Sequence, residues 1–364
     1  MIIERIETYA TPMVGIVRVV TDEGHEGWGQ VSTFNADLSC QVLHRQVAPI
    51  ALGSDALDTE TLSDRVIEGT YKFPGSYVCR ALTGVDTALW DLRGKIEDKS
   101  VAELLGGLPR KLVPYGSSMS RDITPSDEAQ RLVRLRDEKG FRAFKIRVGK
   151  VNGHDEDQWP GRTEALVPAV RAAAGPDIDL KVDGNSCYTP GRAIEVGRML
   201  QDYGVSHFEE PCPYWKLDWT REVTRFLDVP VAGGEQDYDL EQWARMTWGH
   251  VMDIAQPDVC YIGGITRARR ACRMAADHGM PVVPHSANLS LVTVFTMHLL
   301  AAIPNAGPHF EFSIEHSPWA DGLYDPALVV EDGLVQIPQG PGWGVEIRAD
   351  WLARSERQVS ELGV

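Results

Sequence analysis

The motifs LKVDGN (residues 180–185), HFEEP (207–211) and AGGEQ (232–236) determine the fold prediction for this chain. In each motif a carboxylate, Asp183, Glu209 or Glu235, closes a short apolar run, and the interval from the first to the second equals that from the second to the third. In a parallel strand–helix repeat, such an interval returns the chain to the same end of the next strand. Three like charges at one point repel unless a cation lies among them, and oxygen ligands favour Mg²⁺ over zinc. The sequence therefore predicts one Mg²⁺ site per subunit.

Around these motifs, apolar runs typical of strands alternate with helical stretches. The predicted strands are Val113 to Ser118, Ala143 to Val148, Ile178 to Asp183, Ser206 to Glu210, Val229 to Ala232, Val251 to Gln256, Met280 to Pro284 and Pro308 to Phe312. The predicted helices are Asp127 to Glu138, Thr163 to Ala174, Gly191 to Tyr203, Leu240 to Met246, Thr266 to His278 and Ser290 to Ala302. Eight strands in this alternation indicate an α/β chain with a (β/α) barrel rather than an open doubly wound sheet.

The chain divides into three predicted parts. Residues 1–115 combine strands with helices and form an N-terminal α+β domain, and residues 116–320 form the barrel. Residues 321–364 are rich in turns and contain no further strand–helix unit, so we expect them to pack back on the N-terminal domain.

Composition excludes several classes of function. The net charge of −16 has no compensating basic block, which argues against a nucleic acid or an anionic membrane as partner. The first residues, MIIERIETYA, lack the layout of a secretion signal, and the six cysteines show no CxxC pair. Free thiols in a cytoplasmic protein are the expectation.

Further polar residues lie at the predicted strand ends. Lys145 and Arg147 end the second strand and share one face because side chains alternate along a strand. Asp258 follows the sixth strand, His285 the seventh, and Glu311 lies on the eighth. Glu315 lies close enough to Glu311 to be the alternative at that position. At the carboxyl ends of barrel strands, these side chains would surround the metal.

This set of residues suits removal of a proton from the carbon next to a carboxylate. The resulting enediolate carries negative charge on its oxygens, which a divalent cation and Lys or Arg can stabilise. A histidine oriented by a carboxylate can accept or deliver the proton near neutral pH.

At these residues the chain resembles the enolase superfamily, and within it the mandelate racemase/muconate lactonizing enzyme-like group (mandelate racemase subgroup). The resemblance extends over nearly the whole chain. The motifs that carry it, besides the three above, are EGWGQ (26–30), ALTGVDTALWDLRGK (81–95), FKIRVG (144–149), QPDVCYIGGIT (256–266), PHS (284–286) and DGLVQIPQGPGWGVEI (332–347).

The resemblance implies a modified TIM (β/α) barrel under an N-terminal capping domain completed by the C-terminal tail. It implies Mg²⁺ on Asp183, Glu209 and Glu235, together with an Asp258–His285 dyad. Asn185 would face the substrate, and Glu311 would donate a hydrogen bond to the substrate carboxylate or orient it. Substrate-binding loops of the cap are expected to include Phe34, Asn35 and Tyr71, and a homo-oligomer is expected, with an octamer as one form.

One position departs from the Lys-x-Lys pattern of this group, because the second lysine is replaced by Arg147. Arginine stays protonated and is a poor base, so a racemase with two opposed bases is disfavoured. A one-base dehydratase that converts a sugar acid into a 2-keto-3-deoxy acid fits better, with His285 as base and acid or with Lys145 transferring a proton on the opposite face. The alternatives are a racemase, epimerase or lactone cycloisomerase on a small carboxylate, and a non-catalytic metal-binding protein.

Overall fold

The computed structural model describes residues 1–363, and its first part is a capping unit of strands and helices. Its elements are β1 (Ile3–Ala10), β2 (Gly15–Thr21), β3 (Glu26–Gln30), α1 (Ala36–Val42), α2 (Ala48–Ala51), α3 (Thr59–Gly69), α4 (Ser76–Glu97) and α5 (Val101–Leu104), with a π-helical turn at Leu43–Val47 between α1 and α2. Antiparallel β1, β2 and β3 pack against α4, and their apolar faces form one buried cluster.

The strand–helix repeat follows. Its elements are β4 (Lys111–Leu112), β5 (Pro114–Ser117), α6 (Pro125–Lys139), β6 (Ala143–Arg147), α7 (Arg162–Ala174), β7 (Asp179–Asp183), α8 (Pro190–Asp202), β8 (Val205–Glu209), α9 (Leu217–Phe226), β9 (Val231–Gly233), α10 (Leu240–Trp248), β10 (Ile254–Ala255), α11 (Val259–Ile262), α12 (Ile265–Asp277), α13 (Leu291–Leu300) and β11 (Phe310–Ser313). The tail adds β12 (Tyr324–Asp325), β13 (Val335–Gln336), β14 (Glu346–Ile347), α14 (Ala349–Leu352) and β15 (Glu356–Glu361).

The barrel sheet is parallel and has seven strands in the order β10-β9-β8-β7-β6-β5-β11. Because β11 pairs with β5, the sheet curls back on itself, and the predicted modified TIM barrel with its capping domain is confirmed. The predicted strand from Met280 to Pro284 is wrong as a full strand. Only Val282 bridges there, to Ala255 on one side and to Ala306 on the other. The sheet is therefore incomplete between β10 and β11.

Two glycines allow β3 to lie directly on α4. A Cβ at Gly27 would come within 2.0 Å of the carbonyl oxygen of Ala88, and one at Gly29 within 2.4 Å of Oγ1 of Thr87. Side chains at either position would push the helix off the sheet. The EGWGQ motif thus fixes the position of α4, which also contacts α11 and α12 of the barrel.

The C-terminal segment returns to the cap. Strand β15 pairs antiparallel with β1, and Asp91 on α4 joins the two parts. Its Oδ1 accepts from the backbone N–H of Trp343 at 3.0 Å, and its Oδ2 accepts from that of Trp28 at 2.8 Å. The predicted boundaries after residues 115 and 320 stay a prediction.

Helix α9 was not expected from the sequence. It packs on α8 and buries Thr220, Val223 and Thr224. Two of these three buried side chains are threonines, and no side chain caps its first turn, so the sequence lacks the start signal that marks most helices. No helix within residues 1–363 combines the length and the apolar character that a bilayer crossing needs.

Candidate metal centre and active site

The ends of three adjacent strands bring three carboxylates together. Asp183 ends β7, Glu209 ends β8, and Glu235 follows β9. One oxygen from each lies within 4.8 Å of the others, and all three side chains are buried. In the parallel register, Asp183 lies beside Glu209, so the equal sequence intervals become neighbouring positions at one rim of the barrel.

Two cations from β6 balance part of this charge. Nζ of Lys145 lies 2.5 Å from Oε1 of Glu209 and 2.9 Å from Oε1 of Glu311. The guanidinium of Arg147 forms an ion pair with Asp183. Both cationic side chains are buried, and both point to the same end of the barrel, as strand alternation predicts.

The pKa values follow from burial and from these pairs. Burial disfavours ionisation of Glu209, but Lys145, His207 and Arg147 together outweigh it and hold the pKa of that carboxyl well below its usual range. Burial opposes the charge on Lys145 as well, yet Glu209 and Glu311 raise its pKa. Glu235 has its pKa raised, because burial outweighs the charge of His285.

The three carboxylates fit a hard divalent cation. The donor set is all oxygen, with no thiolate or imidazole among the three residues. Oε2 of Glu235 is buried and has no hydrogen-bond partner within residues 1–363, which is costly for a carboxylate unless a ligand satisfies it. Asp183, Glu209 and Glu235 are thus the residues that would hold the predicted Mg²⁺.

A histidine–carboxylate pair faces these ligands. Nδ1 of His285 lies 2.7 Å from Oδ2 of Asp258, and Nε2 lies 3.6 Å from Oε2 of Glu235. Oδ1 of Asp258 accepts from the backbone N–H groups of Cys260 and Tyr261, which fixes the carboxylate at the start of α11. Burial lowers the pKa of His285, but Glu235, Glu311 and Asp258 outweigh it and raise the pKa to about 10.

Glu311 lies between the two halves of the site. Its Oε1 accepts from Oγ of Ser117 at 2.7 Å, and its Oε2 accepts from the backbone N–H of Ser286 at 2.7 Å. Burial opposes ionisation, but Lys145 and His285 lower the pKa of this carboxyl to about 2. Because an ionised carboxylate only accepts hydrogen bonds, these contacts favour the orienting role over the donor role.

The alternative residue, Glu315, lies apart from the site. Its carboxylate pairs with Arg131 at 3.1 Å and accepts from the backbone N–H of Met119 at 2.8 Å. These contacts tie the loop after β11 to the loop after β5. Of the two glutamates, Glu311 is therefore the one that contacts Lys145.

Asn185 joins the site through Asp183. Its backbone N–H donates to Oδ1 of Asp183 at 2.7 Å, and its Nδ2 donates to Oδ2 at 3.1 Å. Its φ of 40° is in the left-handed region, which asparagine tolerates. Oδ1 of Asn185 accepts from Arg147 at 3.0 Å and from Arg121 at 2.6 Å.

Several neighbours of the site were missed from the sequence. Gln256 donates from Nε2 to Oε2 of Glu209 at 2.7 Å. It is the last residue of the predicted sixth strand, and this place at a strand end was a signal for it. Ser117 and Arg121 carried no comparable signal, because their contacts depend on the course of loops and of strands distant in sequence.

The predicted loops of the cap differ in their relation to the barrel. Phe34 is 52% exposed, and its ring packs edge-on at 5.9 Å against Trp319, in the segment after β11. Asn35 follows it, with φ of 52°, and begins α1. Tyr71 is 67% exposed, and Lys72 lies over its ring. The structure thus brings Phe34 to a barrel loop but gives Tyr71 no contact with the site among the described residues.

Comparison with known proteins matches both parts of the chain. A model of the enolase C-terminal domain-like family matches residues 127–351, and a model of the mandelate racemase/muconate lactonizing enzyme N-terminal domain matches residues 4–106. An arabinonate dehydratase of Saccharolobus solfataricus is 29% identical over 340 residues, 91% of this chain and 87% of that protein. A D-galactarolactone cycloisomerase of Agrobacterium fabrum is 32% identical over 358 residues, 93% of this chain and 89% of that protein.

Solved structures agree with this match. One from Roseobacter denitrificans, provisionally described as a racemase, is 57% identical with a TM-score of 0.98 and covers 100% of both chains. A mandelate racemase/muconate lactonizing protein from Paracoccus denitrificans, complexed with magnesium, is 28% identical with a TM-score of 0.88, covering 99% of this chain and 98% of that one. The two reaction classes expected from the sequence, dehydratase and isomerase, both occur among these relatives.

Proposed function

Because this chain belongs to the mandelate racemase/muconate lactonizing enzyme family of the enolase superfamily, we propose that it is a Mg²⁺-dependent dehydratase of sugar acids. The substrate is a carboxylate with hydroxyls on its α- and β-carbons, and the product is a 2-keto-3-deoxy acid. The observation that supports this proposal best is the Asp258–His285 dyad, whose Nε2 lies 3.6 Å from Glu235, one of the three buried carboxylates.

When bound, Mg²⁺ supplies positive charge that stabilises the oxygens of the substrate carboxylate as the α-proton leaves. On the side of the protein, Nε2 of His285 accepts that proton. Burial lowers the pKa of this imidazole, and Glu235 contributes most to raising it; a cation held by Asp183, Glu209 and Glu235 would offset that charge and lower the pKa again, so that the imidazole can act as a base. Asp258 holds Nδ1–H, and the carboxylates of Asp258 and Glu311 stabilise the imidazolium that forms. The buried site excludes bulk water, which strengthens each of these interactions.

Water then leaves from the β-carbon. As the double bond forms between the α- and β-carbons, the imidazolium of His285 returns its proton to the departing β-hydroxyl. The resulting enol becomes the 2-keto acid. The cationic side chains of Lys145 and Arg147, which pair with Glu209, Glu311 and Asp183, stabilise the negative oxygens of the substrate. One base thus serves both proton transfers.

An isomerase is the second candidate, and a specific observation favours it. The relative from Agrobacterium fabrum is a D-galactarolactone cycloisomerase, and it is 32% identical to this chain. Such a reaction begins with the same proton abstraction but releases no water. Lys145 lies between Glu209 and Glu311, where it could transfer a proton on the face of the substrate opposite to His285.

A panel of sugar acids and their lactones, incubated with enzyme and Mg²⁺, separates these functions. Dehydration yields a 2-keto acid that reacts with semicarbazide, whereas racemisation in D₂O exchanges the α-hydrogen and gives no such product. Cycloisomerisation that opens a lactone by eliminating its ring oxygen also gives a 2-keto acid, but it consumes the lactone without a change of mass and leaves the open-chain acid unreacted, whereas dehydration consumes the open-chain acid with loss of one water. If no member of the panel reacts although Mg²⁺ binds, the proposal fails. The remaining alternative, a non-catalytic metal-binding protein, then replaces it.

The quaternary structure is a separate prediction. We propose a homo-oligomer, with an octamer as one form, and light scattering of the purified protein measures it directly. A monomer at assay concentration would contradict this prediction but would leave the proposed reaction unaffected.

A further inference from the structure

A second guanidinium group lies beside the proposed active site, on Arg121 in the segment after β5. Its Nη2 donates to Oδ1 of Asn185 at 2.6 Å, and its Nε donates to the carbonyl oxygen of Gly149 at 3.1 Å. The same Oδ1 accepts from Nη1 of Arg147 at 3.0 Å. Two guanidinium groups therefore share one amide oxygen, and that amide also bonds the predicted metal ligand Asp183.

The charges around Arg121 do not balance. No carboxylate within residues 1–363 forms an ion pair with it. Its neighbour Arg162 is fully buried and bonds the backbone carbonyls of Arg147 and Ser120. Of these three described arginines, only Arg147 has a carboxylate partner, and that partner is Asp183. Cations taken out of water cost free energy unless an anion compensates them, so the cluster favours a bound anion.

Burial and the neighbouring charges both act on Arg121. Burial lowers its pKa, and the charges of Arg147 and Arg162 lower it further, to about 10. The guanidinium is still charged at neutral pH. It therefore remains a binding group for an anion that enters beside Asn185.

The hydrogen bonds of Arg121 are also incomplete. A guanidinium has five N–H donors, and Nη1 of Arg121 makes no hydrogen bond within the described chain. Arg171 shows the contrast. It donates to four backbone carbonyls, those of Tyr203, Gly175, Ile178 and Gly204, through Nε and both Nη atoms. Arg171 thus uses all three nitrogens, whereas Arg121 leaves Nη1 without a partner in the described chain.

We propose that Arg121, beside Arg147, binds the second carboxylate of a dicarboxylic sugar acid whose first carboxylate lies at the metal centre. This inference rests on the proposed function, because it names the class of sugar acid that the same site accepts. A planar guanidinium matches a carboxylate with two parallel hydrogen bonds, and Asn185 places this guanidinium one side chain away from Asp183.

The test compares sugar diacids with monoacids of the same configuration, in which a primary alcohol replaces the second carboxylate. Affinity is measured by calorimetry on Mg²⁺-loaded protein in the Asp258→Asn background, which retards turnover. kcat/KM is measured by semicarbazide assay with otherwise unaltered enzyme. The variants are Arg121→Gln, Arg121→Lys and, as a matched control, Arg171→Gln, since Arg171 is also partly buried and bonds only backbone carbonyls.

We expect the unaltered Arg121 to favour the diacid. Arg121→Gln should lower diacid affinity and kcat/KM roughly tenfold to hundredfold, the range for a hydrogen bond to a charged group. The monoacid values should fall less, through the lost bond to Asn185, so that the ratio of diacid to monoacid affinity drops by at least about fivefold, and Arg121→Lys should give an intermediate loss. Arg171→Gln should leave the ratio of diacid to monoacid unchanged.

Equal losses for diacid and monoacid in Arg121→Gln would overturn the inference, because Arg121 would then only position Asn185. A diacid that binds no more tightly than its matched monoacid would overturn it as well. If diacids bind through Arg121 but no 2-keto acid forms, the inference stands and the proposed dehydration fails. If no acid of either kind binds, both fail.

Discussion

Nδ1 of His285 lies 2.7 Å from Oδ2 of Asp258 inside a buried pair, and this contact fixes which ring nitrogen is free. The carboxylate keeps the hydrogen on Nδ1, so Nε2 can accept a proton. In Asp258→Asn, the carboxamide donates to Nδ1 instead, and Nε2 carries the hydrogen. We expect kcat to fall roughly 10³-fold to 10⁴-fold, with Mg²⁺ affinity unchanged. Steady-state kinetics and calorimetry measure the two quantities.

The fold should survive this substitution. The asparagine oxygen can still accept from Cys260 and Tyr261 at the start of α11, so the melting temperature should change little. The exposed pair of His250 and Asp253, 3.0 Å apart, supplies a matched control. Asp253→Asn should leave kcat unaltered, and a kcat near that of the unaltered enzyme in Asp258→Asn would remove His285 from the mechanism.

Loss of one carboxylate from the metal centre should abolish tight Mg²⁺ binding. Asp183 offers one of the three converging oxygens, so we expect Asp183→Asn to raise the Kd for Mg²⁺ at least roughly hundredfold. Since a ligand that binds only the folded state stabilises it, Mg²⁺ should raise the melting temperature of the unaltered protein but not of this variant. Differential scanning calorimetry with and without EDTA measures the shift.

Asp179 provides the control, because it lies at the other end of β7 and pairs with Lys181 at 2.6 Å. Asp179→Asn should lower the melting temperature itself while keeping the increase caused by Mg²⁺. An equal Mg²⁺ response in Asp183→Asn and the unaltered protein would place the cation elsewhere.

The sequence predicted those barrel elements whose local pattern of apolar residues matches the packing they have in the folded chain. The helix expected from Thr266 to His278 forms at Ile265–Asp277, because its apolar positions follow the helical period and pack in the core. The segment from Met280 to Pro284 has the composition of a strand, yet only Val282 finds partners on both sides. Pairing depends on neighbours distant in sequence, which no local pattern specifies.

The same distinction holds for the site. Asp183, Glu209 and Glu235 follow strands at equal intervals, so a repeat of strand and helix is enough to bring them together. Arg121 reaches Asn185 only because the segment after β5 folds over β6 and β7. The length of a loop does not determine its course, and such contacts emerge from the structure alone.

Substitution of Glu311 and of Glu315 should have different effects. Glu311 contacts Lys145 at 2.9 Å and holds Ser286, the residue after His285, through its backbone N–H. Glu311→Gln keeps the shape but removes the charge that stabilises both Lys145 and the imidazolium. We expect kcat to fall roughly hundredfold, the low end of the contribution of a positioned acid–base group. Activity assays at saturating substrate measure this loss.

Glu315→Gln is the matched variant on the same segment. Its partner Arg131 also pairs with Glu128 at 2.9 Å and so keeps a carboxylate in the variant, and we expect kcat to stay within about threefold of the unaltered value. A larger loss in Glu315→Gln than in Glu311→Gln would show that Glu315 acts in the site instead.

The stability of the protein in acid should depend on His298, which joins three parts of the chain. Nδ1 accepts from the backbone N–H of Ala102 at 3.0 Å, so Nε2 carries the hydrogen and donates to the carbonyl of Trp343 at 3.2 Å. Burial lowers the pKa of this imidazole from 6.5 to about 4, and protonation of Nδ1 would break the bond to Ala102. Between these two pH values the unfolded chain binds more protons than the folded one, so the free energy of unfolding falls as the pH falls.

His298→Gln isolates this contribution. Glutamine can accept and donate at the same place but does not titrate, so the variant lacks the part of the pH dependence that His298 causes. Between pH 7 and pH 4.5, the unaltered protein should lose about 2 to 3 kcal/mol more free energy of unfolding than the variant. Urea titrations followed by tryptophan fluorescence at the two pH values give this difference. Parallel losses in both proteins would mean that His298 keeps its ordinary pKa in the fold, and that acid acts through other buried groups.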